Sequence, residues 1–293
     1  MEELSKLYRD VESKVAVPTR KPVERTFSHR CDGCNRRVQL VTFDDGNKKE
    51  IGCHCDKVQS DRKKIEIRKQ KEYWRASMFP YSHKRASFDK FKTFDNKKME
   101  RALIIAKRYA DKFAENFKQK RLYERYERSD LTLEEFNQEY GTAVEEDAED
   151  ILTNLIMKGA PGTGKTMLAN AIYHQLHKEG FKCFFISSSE YLERVKDGFD
   201  DSAAKVQLRK YREEADLFVL DDIGTSFDKP WKVDEFYKLM EIRKGKFNVF
   251  TTNLSDEEFV RTIELERIHS RMNQDAYTIR MDFEDYRLKG DNR

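Results

Sequence analysis

Gly159-Ala160-Pro161-Gly162-Thr163-Gly164-Lys165-Thr166 decides the fold of this 293-residue chain. The octapeptide has the spacing G-x-x-x-x-G-K-[ST], and it stands between an apolar run, Leu155-Ile156-Met157, and a stretch of helical character, Met167 to Lys178. A strand that turns through glycines into a helix directs backbone N–H groups inward and sets a helix N-terminus behind them, which suits phosphate oxygens. Lys165 supplies a mobile cation for the β and γ phosphates, Thr166 a hydroxyl for Mg2+, and Met167 opens the helix. Residues Gly159 to Met167 are therefore read as an ATP site rather than a glycine-rich turn that binds nothing.

Outward from the loop, short apolar runs alternate with amphipathic stretches. Cys183–Ile186, Leu217–Leu220 and Asn248–Thr251 read as strands, and Ser189–Lys196, Ala204–Glu214 and Val233–Arg243 as helices. This pattern predicts an α/β fold, a parallel sheet with flanking helices. Ligands of such sheets lie at the carboxyl ends of the strands. Asp221, at the end of one strand, is expected to help hold hydrated Mg2+, and Asp222 to polarise the attacking water. The pair also fits a turn or helix cap. Asn253 ends another strand and is followed by Ser255-Asp256-Glu257-Glu258, a capping box that starts a helix. Its amide is either a turn group or one that orients water beside the γ phosphate.

The rest of the chain is organised by charge. Its 57 Lys/Arg and 54 Asp/Glu leave a net charge of +3, but they sit partly in blocks. Residues 57–75 hold eight Lys/Arg against three Asp/Glu without Gly or Pro, a basic helix that Met78-Phe79-Pro80 interrupts. Residues 97–118 carry an apolar stripe (Met99, Leu103, Ala106, Tyr109, Ala110, Phe113, Phe117) that predicts a helix packed on the core. Residues 124–150 hold eleven Asp/Glu against two Arg and read as a solvated helical excursion or a partly disordered one. The expected division is 1–75 as an N-terminal module, 76–95 as linker and 96–293 as the ATPase domain. No signal peptide or membrane span is visible, so a cytoplasmic protein without membrane contact is expected.

Four of the five cysteines fall within residues 31–55. Cys31-Asp32-Gly33-Cys34 is a C-x2-C knuckle, and Cys53-His54-Cys55 follows a hairpin-like segment whose Asp44-Asp45-Gly46-Asn47 can turn the chain. Cys31, Cys34, Cys53 and Cys55 are expected to close a tetrahedral zinc site, with His54 replacing one of the last pair as the alternative. A segment this short lacks apolar residues for a core, so the zinc would be structural. Cys183 lies in an apolar strand and reads as a core residue.

Residues 88–290 resemble the AAA+ ATPases of the DnaC/DnaI helicase-loader family and the related IstB-type transposition helpers. Phe88-Asp89-x-Phe91, the phosphate loop, F-F-I-S-S-S-E-Y-L at 184–192, L-F-V-L-D-D-I-G at 217–224, T-T-N-L at 251–254 and Tyr286-Arg287 carry the resemblance. It implies an AAA+ domain without a C-terminal lid, in accord with the few residues after Arg271. It also implies an arginine finger from Arg267-Ile268-His269-Ser270-Arg271-Met272 that completes a neighbouring subunit's ATP site. Arg271 is the first choice and Arg267 the second.

The resemblance further implies that the N-terminal module docks on a hexameric DnaB-type helicase, and that an ATP-bound homo-oligomer engages single-stranded DNA in the bacterial cytoplasm, in some cases of a phage-infected cell. The basic helix fits either a helicase-facing surface or DNA phosphates, and Tyr73 and Trp74 either stack on bases or pack. Two other functions stay open: a transposition helper acting on duplex DNA, and an adaptor that uses ATP as a conformational ligand. The acidic stretch between residue 118 and the phosphate loop is longer than the family spacing.

Overall fold

The computed structural model describes residues 22–31, 37–43, 46, 48–51, 56–80, 85–140, 144, 150–224 and 227–284. The chain divides into two compact units, Met1–Lys69 with Arg121–Val144, and Gln70–Lys120 with Glu145–Arg293. Among the described residues no helix is long and apolar enough to cross a membrane.

The first unit contains an antiparallel sheet of β1 (Pro22–Arg30), β2 (Arg37–Phe43) and β3 (Lys48–Ile51), in that order. The expected hairpin is β2–β3, with Thr42 opposite Lys48 and the Gly46 N–H donating to the Phe43 carbonyl at 3.0 Å. Val38 and Val41 are buried, while β1 exposes Val23 and Phe27. The basic helix α1 (Asp56–Ala76) starts in this unit and ends in the other. So does the stripe-bearing helix α2 (Lys97–Tyr126), in the opposite direction, and it runs beyond the expected 97–118. In the acidic stretch, α3 (Leu133–Tyr140) is capped by a Thr132–Glu135 exchange of hydrogen bonds that holds the Glu135 carboxyl below its usual range. Its Phe136 is buried, with its ring 5.8 Å from that of Tyr126. Part of the stretch is thus a helical excursion, and residues 141–143 and 145–149 lie outside the described ones.

The second unit is built on a five-stranded parallel sheet: β4 (Asn154–Lys158), β5 (Cys183–Ser187), β6 (Leu217–Ile223), β7 (Phe247–Thr252) and β8 (Ala276–Arg280), in the order β5-β6-β7-β4-β8. Every residue of β4 and β7 is buried, which is why neither strand shows the apolar–polar alternation of a half-exposed one. The helices are α4 (Lys165–Glu179), α5 (Ser188–Asp200), α6 (Ser202–Glu214), α7 (Pro230–Arg243), α8 (Asp256–Phe259) and α9 (Ile263–Asn273). Phe113 of α2 is buried against Phe181 and Phe247, its ring 4.8 Å from each, as the stripe required.

β8 is the strand that the apolar pattern did not announce. Of its five residues Ile279 alone is buried, because β8 is an edge strand paired with β4 only. Ser77 and Met78 close the other edge of the sheet: the Phe185 N–H donates to Ser77 Oγ at 3.1 Å, and the Met78 N–H donates to the Phe185 carbonyl at 2.9 Å. Tyr73 is fully buried with its ring edge on Tyr211, and Trp74 stacks on His177 at 4.8 Å. Both aromatics thus pack within the second unit, Tyr73 wholly and Trp74 with 37% of its surface exposed.

Candidate functional site

The phosphate loop leaves β4 through residues that only glycine suits. Gly159 has φ 155, and a Cβ there would lie 2.4 Å from the carbonyl oxygen of Met281. That carbonyl cannot retreat easily, because the Met281 N–H donates to the Lys158 carbonyl at 2.7 Å. Gly164, at φ 88, is the N-cap of α4, with the Phe91 ring 2.8 Å from where a Cβ would stand. Phe91, the last residue of the Phe88-Asp89-x-Phe91 motif, and Met281, which no motif marked, are thus walls of the loop.

Lys165 is 6% exposed and donates to the carbonyls of Gly159 and Ala160 at 2.7 Å each. The Thr163 hydroxyl donates to the Ala160 carbonyl at 2.9 Å. Thr166 directs its hydroxyl at both oxygens of Asp221, 2.9 and 3.1 Å away. Asp221 Oδ1 accepts a second bond, from Thr251 Oγ1 at 2.6 Å. Burial pushes the Asp221 carboxyl up, with the Thr251 and Thr166 hydroxyls opposing. A buried carboxylate beside a threonine hydroxyl is a hard-oxygen donor set, and it fits a magnesium ion.

Asp222 takes the opposite direction at the end of β6. Its φ of 58 is left-handed, which Asp tolerates better than most side chains, and the β6–β7 register breaks between Leu220 and Ile223. Three contacts hold it there. Its N–H donates to Thr251 Oγ1 at 2.8 Å, its carbonyl accepts from Ser188 Oγ at 2.6 Å, and its carboxylate accepts from Asn253 Nδ2 at 2.9 Å. Asp221, Asp222 and Asn253 are thus brought together beside Thr166. Thr251 joins the Asp221 carboxylate to the Asp222 backbone N–H, a role that its position in T-T-N could have suggested. Ser188 could not have been singled out from the run Ser187-Ser188-Ser189.

Arg267 and Arg271 lie one turn apart on α9. Arg271 donates through Nε to Glu241 of α7, and bonds to Tyr237 and Glu241 hold its guanidinium above the usual arginine range. Arg267 is exposed. Cys31 is buried at the end of β1, while Cys34, Cys53, His54 and Cys55 lie outside the described residues, as do Tyr286 and Arg287. Among the described residues there is no group of three or more His, Cys, Asp or Glu able to hold a metal.

A sequence profile of the family described as "IstB-like ATP binding protein" matches residues 146–293, half of the chain and every site residue above except Phe91 and the candidate zinc ligands Cys31, Cys34, Cys53, His54 and Cys55. The chain belongs to this family. The chain is 27% identical over 154 residues to the replicative helicase loader DnaC of Escherichia coli, covering 48% of this chain and 62% of that protein. It is 26% identical over 140 residues to a putative ATP-binding protein in an insertion sequence of Mycobacterium tuberculosis, covering 46% of this chain and 55% of that protein. A crystal structure of the DnaC helicase loader matches with a TM-score of 0.48 at 18% identity, over 69% of this chain and 99% of that one. The chain spans about half to three fifths of the length of the curated relatives it matches. The matched residues hold the phosphate loop and all five strands of the parallel sheet.

Proposed function

We propose that this protein hydrolyses ATP to load a hexameric DnaB-type replicative helicase onto single-stranded DNA. The hydrogen-bonded set Thr166–Asp221–Thr251 and Asp222–Asn253, at strand ends beside the phosphate loop, is the observation that carries the ATPase reading. Gly159 to Met167 cradle the phosphates, and Lys165 exchanges its two loop carbonyls for β- and γ-phosphate oxygens. Bound magnesium supplies neutralisation of the phosphate charge, and Thr166 and Asp221 are the residues that would hold it. Asp222 polarises the attacking water, and Asn253 orients that carboxylate and the water between them. Arg271, with Arg267 as second candidate, stabilises charge on the γ phosphate of a neighbouring subunit in an ATP-bound homo-oligomer.

The loader half rests on the similarity to DnaC across three fifths of that protein. The test is co-purification with a cognate DnaB-type helicase, with and without residues 1–75. Capture that is lost on truncation is expected, and failure of the full-length chain to hold any such helicase would end the loader reading. The relatives in insertion sequences favour a second reading, a transposition helper, for which a transposase and duplex DNA would be retained instead. An adaptor without turnover would show no hydrolysis that Asp222→Asn removes.

Zinc belongs to the N-terminal part of the proposal. β1 ends at Arg30, opposite Arg37 at the start of β2, and β3 ends at Ile51, opposite Gln39. The chain therefore enters both cysteine pairs, Cys31/Cys34 and Cys53/Cys55, from one end of the sheet. This supports a shared zinc ion, which zinc content per chain tests.

A further inference from the structure

Asp256, the residue after the N-cap Ser255 of α8, gathers side chains from three other elements. Lys158, the last residue of β4, donates an ammonium hydrogen to it. His269 of α9 approaches through Nε2, 3.1 Å from Oδ1, and Arg280 of β8 donates a guanidinium N–H, 3.0 Å from Oδ2. Beneath them lies Phe259, 1% exposed, on which the His269 ring stacks at 4.8 Å and the Lys158 ammonium rests 5.8 Å from the ring centre. The hydrogen bond from Lys158, then the charges of Lys158, His269 and Arg280, hold the Asp256 carboxyl below its usual range.

The chemistry assigned above uses none of these contacts, yet three of the four residues lie within a few positions of groups that carry it. Lys158 directly precedes Gly159, and Asp256 follows Asn253 by three residues. His269 stands between Arg267 and Arg271. The Lys158 side chain is 11% exposed, so its ammonium depends on its partner, whereas Arg280 is 67% exposed and its pairing is screened by water. Two bonds therefore form a short path from the residue before the phosphate loop to α9: Lys158 to Asp256, and Asp256 to His269. On its other side α9 is held by the buried Ile268 and Met272 and by the Arg271–Glu241 pair. Apolar packing fixes its depth but resists sliding and rotation less than directional bonds do.

We propose that Asp256 and His269 are positioning residues that fix α9 against the phosphate-loop strand, so that Arg271 is presented in register to the neighbouring subunit's ATP. The proposal rests on the reading of Arg271 as a residue acting in trans. A misplacement of about 1 Å can cost about 100-fold in rate, so a group that must reach across a subunit boundary needs such a brace.

The experiment is steady-state ATP hydrolysis of the full chain, with nucleotide affinity measured separately. His269→Ala cuts the leg to α9 while leaving Lys158 paired. It is expected to lower kcat about tenfold or more with KM and ATP affinity held within about twofold, because the variant's own loop is intact. His269→Gln keeps an N–H donor near the position of Nε2 and restores most of the rate. A His269→Gln variant as slow as His269→Ala, or a loss that falls on KM and affinity, overturns the proposal.

Subunit mixing separates the proposal from the reading beneath it. Asp222→Asn subunits bind ATP and present Arg271 but do not turn over, so mixing them with His269→Ala subunits restores hydrolysis, and Arg271→Ala subunits restore none. The reverse pattern means that Asp256 and His269 serve their own loop, and it overturns the proposal alone. If Asp222→Asn and Arg271→Ala subunits show no activity when mixed, the trans reading fails and takes the proposal with it.

Discussion

Asp221 is a carboxylate with 5% of its surface exposed, and its hydrogen-bond donors are two hydroxyls, with the Lys165 charge a smaller support. Because burial raises its folded-state pKa, its favourable contribution is present below the unfolded value of 3.8 and is lost as pH rises through the folded value. At neutral pH the ionised group therefore costs stability in the absence of a metal. Asp221→Asn is expected to raise the melting temperature of the nucleotide-free protein by about 2–4 °C per kcal/mol recovered, and to abolish the further rise that Mg-ATP gives the parent. Thermal denaturation with and without Mg-ATP checks both, and an unchanged or lower metal-free melting temperature would contradict the account. The neighbouring φ of 58 at Asp222 makes asparagine the informative replacement there, since it tolerates the left-handed region and alanine does not. The residue types at this site were legible from Leu217 to Asp222, but the inward turn of one carboxylate and the left-handed turn of the next depend on Thr251, thirty residues away.

The elements are joined at the opposite end of the sheet by one buried guanidinium. Arg243, at the end of α7, is 1% exposed and donates to Asn248 Oδ1 at 2.8 Å and to the carbonyls of Arg212, Ala215 and Phe247 at 3.2, 2.9 and 2.7 Å. Asn248 continues the network to Asn154 at 2.7 Å, and Asn154 to the Gln274 carbonyl at 2.8 Å. The beginnings of β6, β7 and β4 and the end of α9 are thus satisfied by a single polar chain. Burial pushes the guanidinium down to about 9, which leaves it charged at neutral pH. Arg243→Met strands several buried acceptors, so a loss of about 3–5 kcal/mol is expected in urea unfolding. A loss under about 1 kcal/mol would show that water takes over the carbonyls. Four of the five strands were visible in sequence because both their faces are buried. β8 was not, since pairing with β4 rather than burial makes it a strand.

For the molecule as a whole, the two parts obey different economies. The second unit buries aromatic side chains in quantity, among them Phe113, Phe181, Phe184, Phe185 and Phe218. The sheet of the first unit has Val38 and Val41 as its buried apolar side chains among the described residues. A sheet so poorly supplied needs another source of stability, and about one zinc ion per chain is expected by elemental analysis. Cys31→Ser should lower that content and abolish helicase capture, while ATP binding persists. Metal-free full-length protein that still captures the helicase would sink the zinc reading.

The sequence by itself determined the phosphate loop, the two carboxylates, the strand-ending asparagine and the α/β class, because each is written in residues adjacent along the chain or in a repeating apolar pattern. Only the tertiary structure decided that Phe91 and Met281 wall the loop, that Ser77 and Met78 close the sheet edge, and that Asp256 gathers Lys158, His269 and Arg280. Those contacts join residues from about ten to just over a hundred positions apart. Their partners are chosen by the closing of the sheet, which leaves no local periodicity to read.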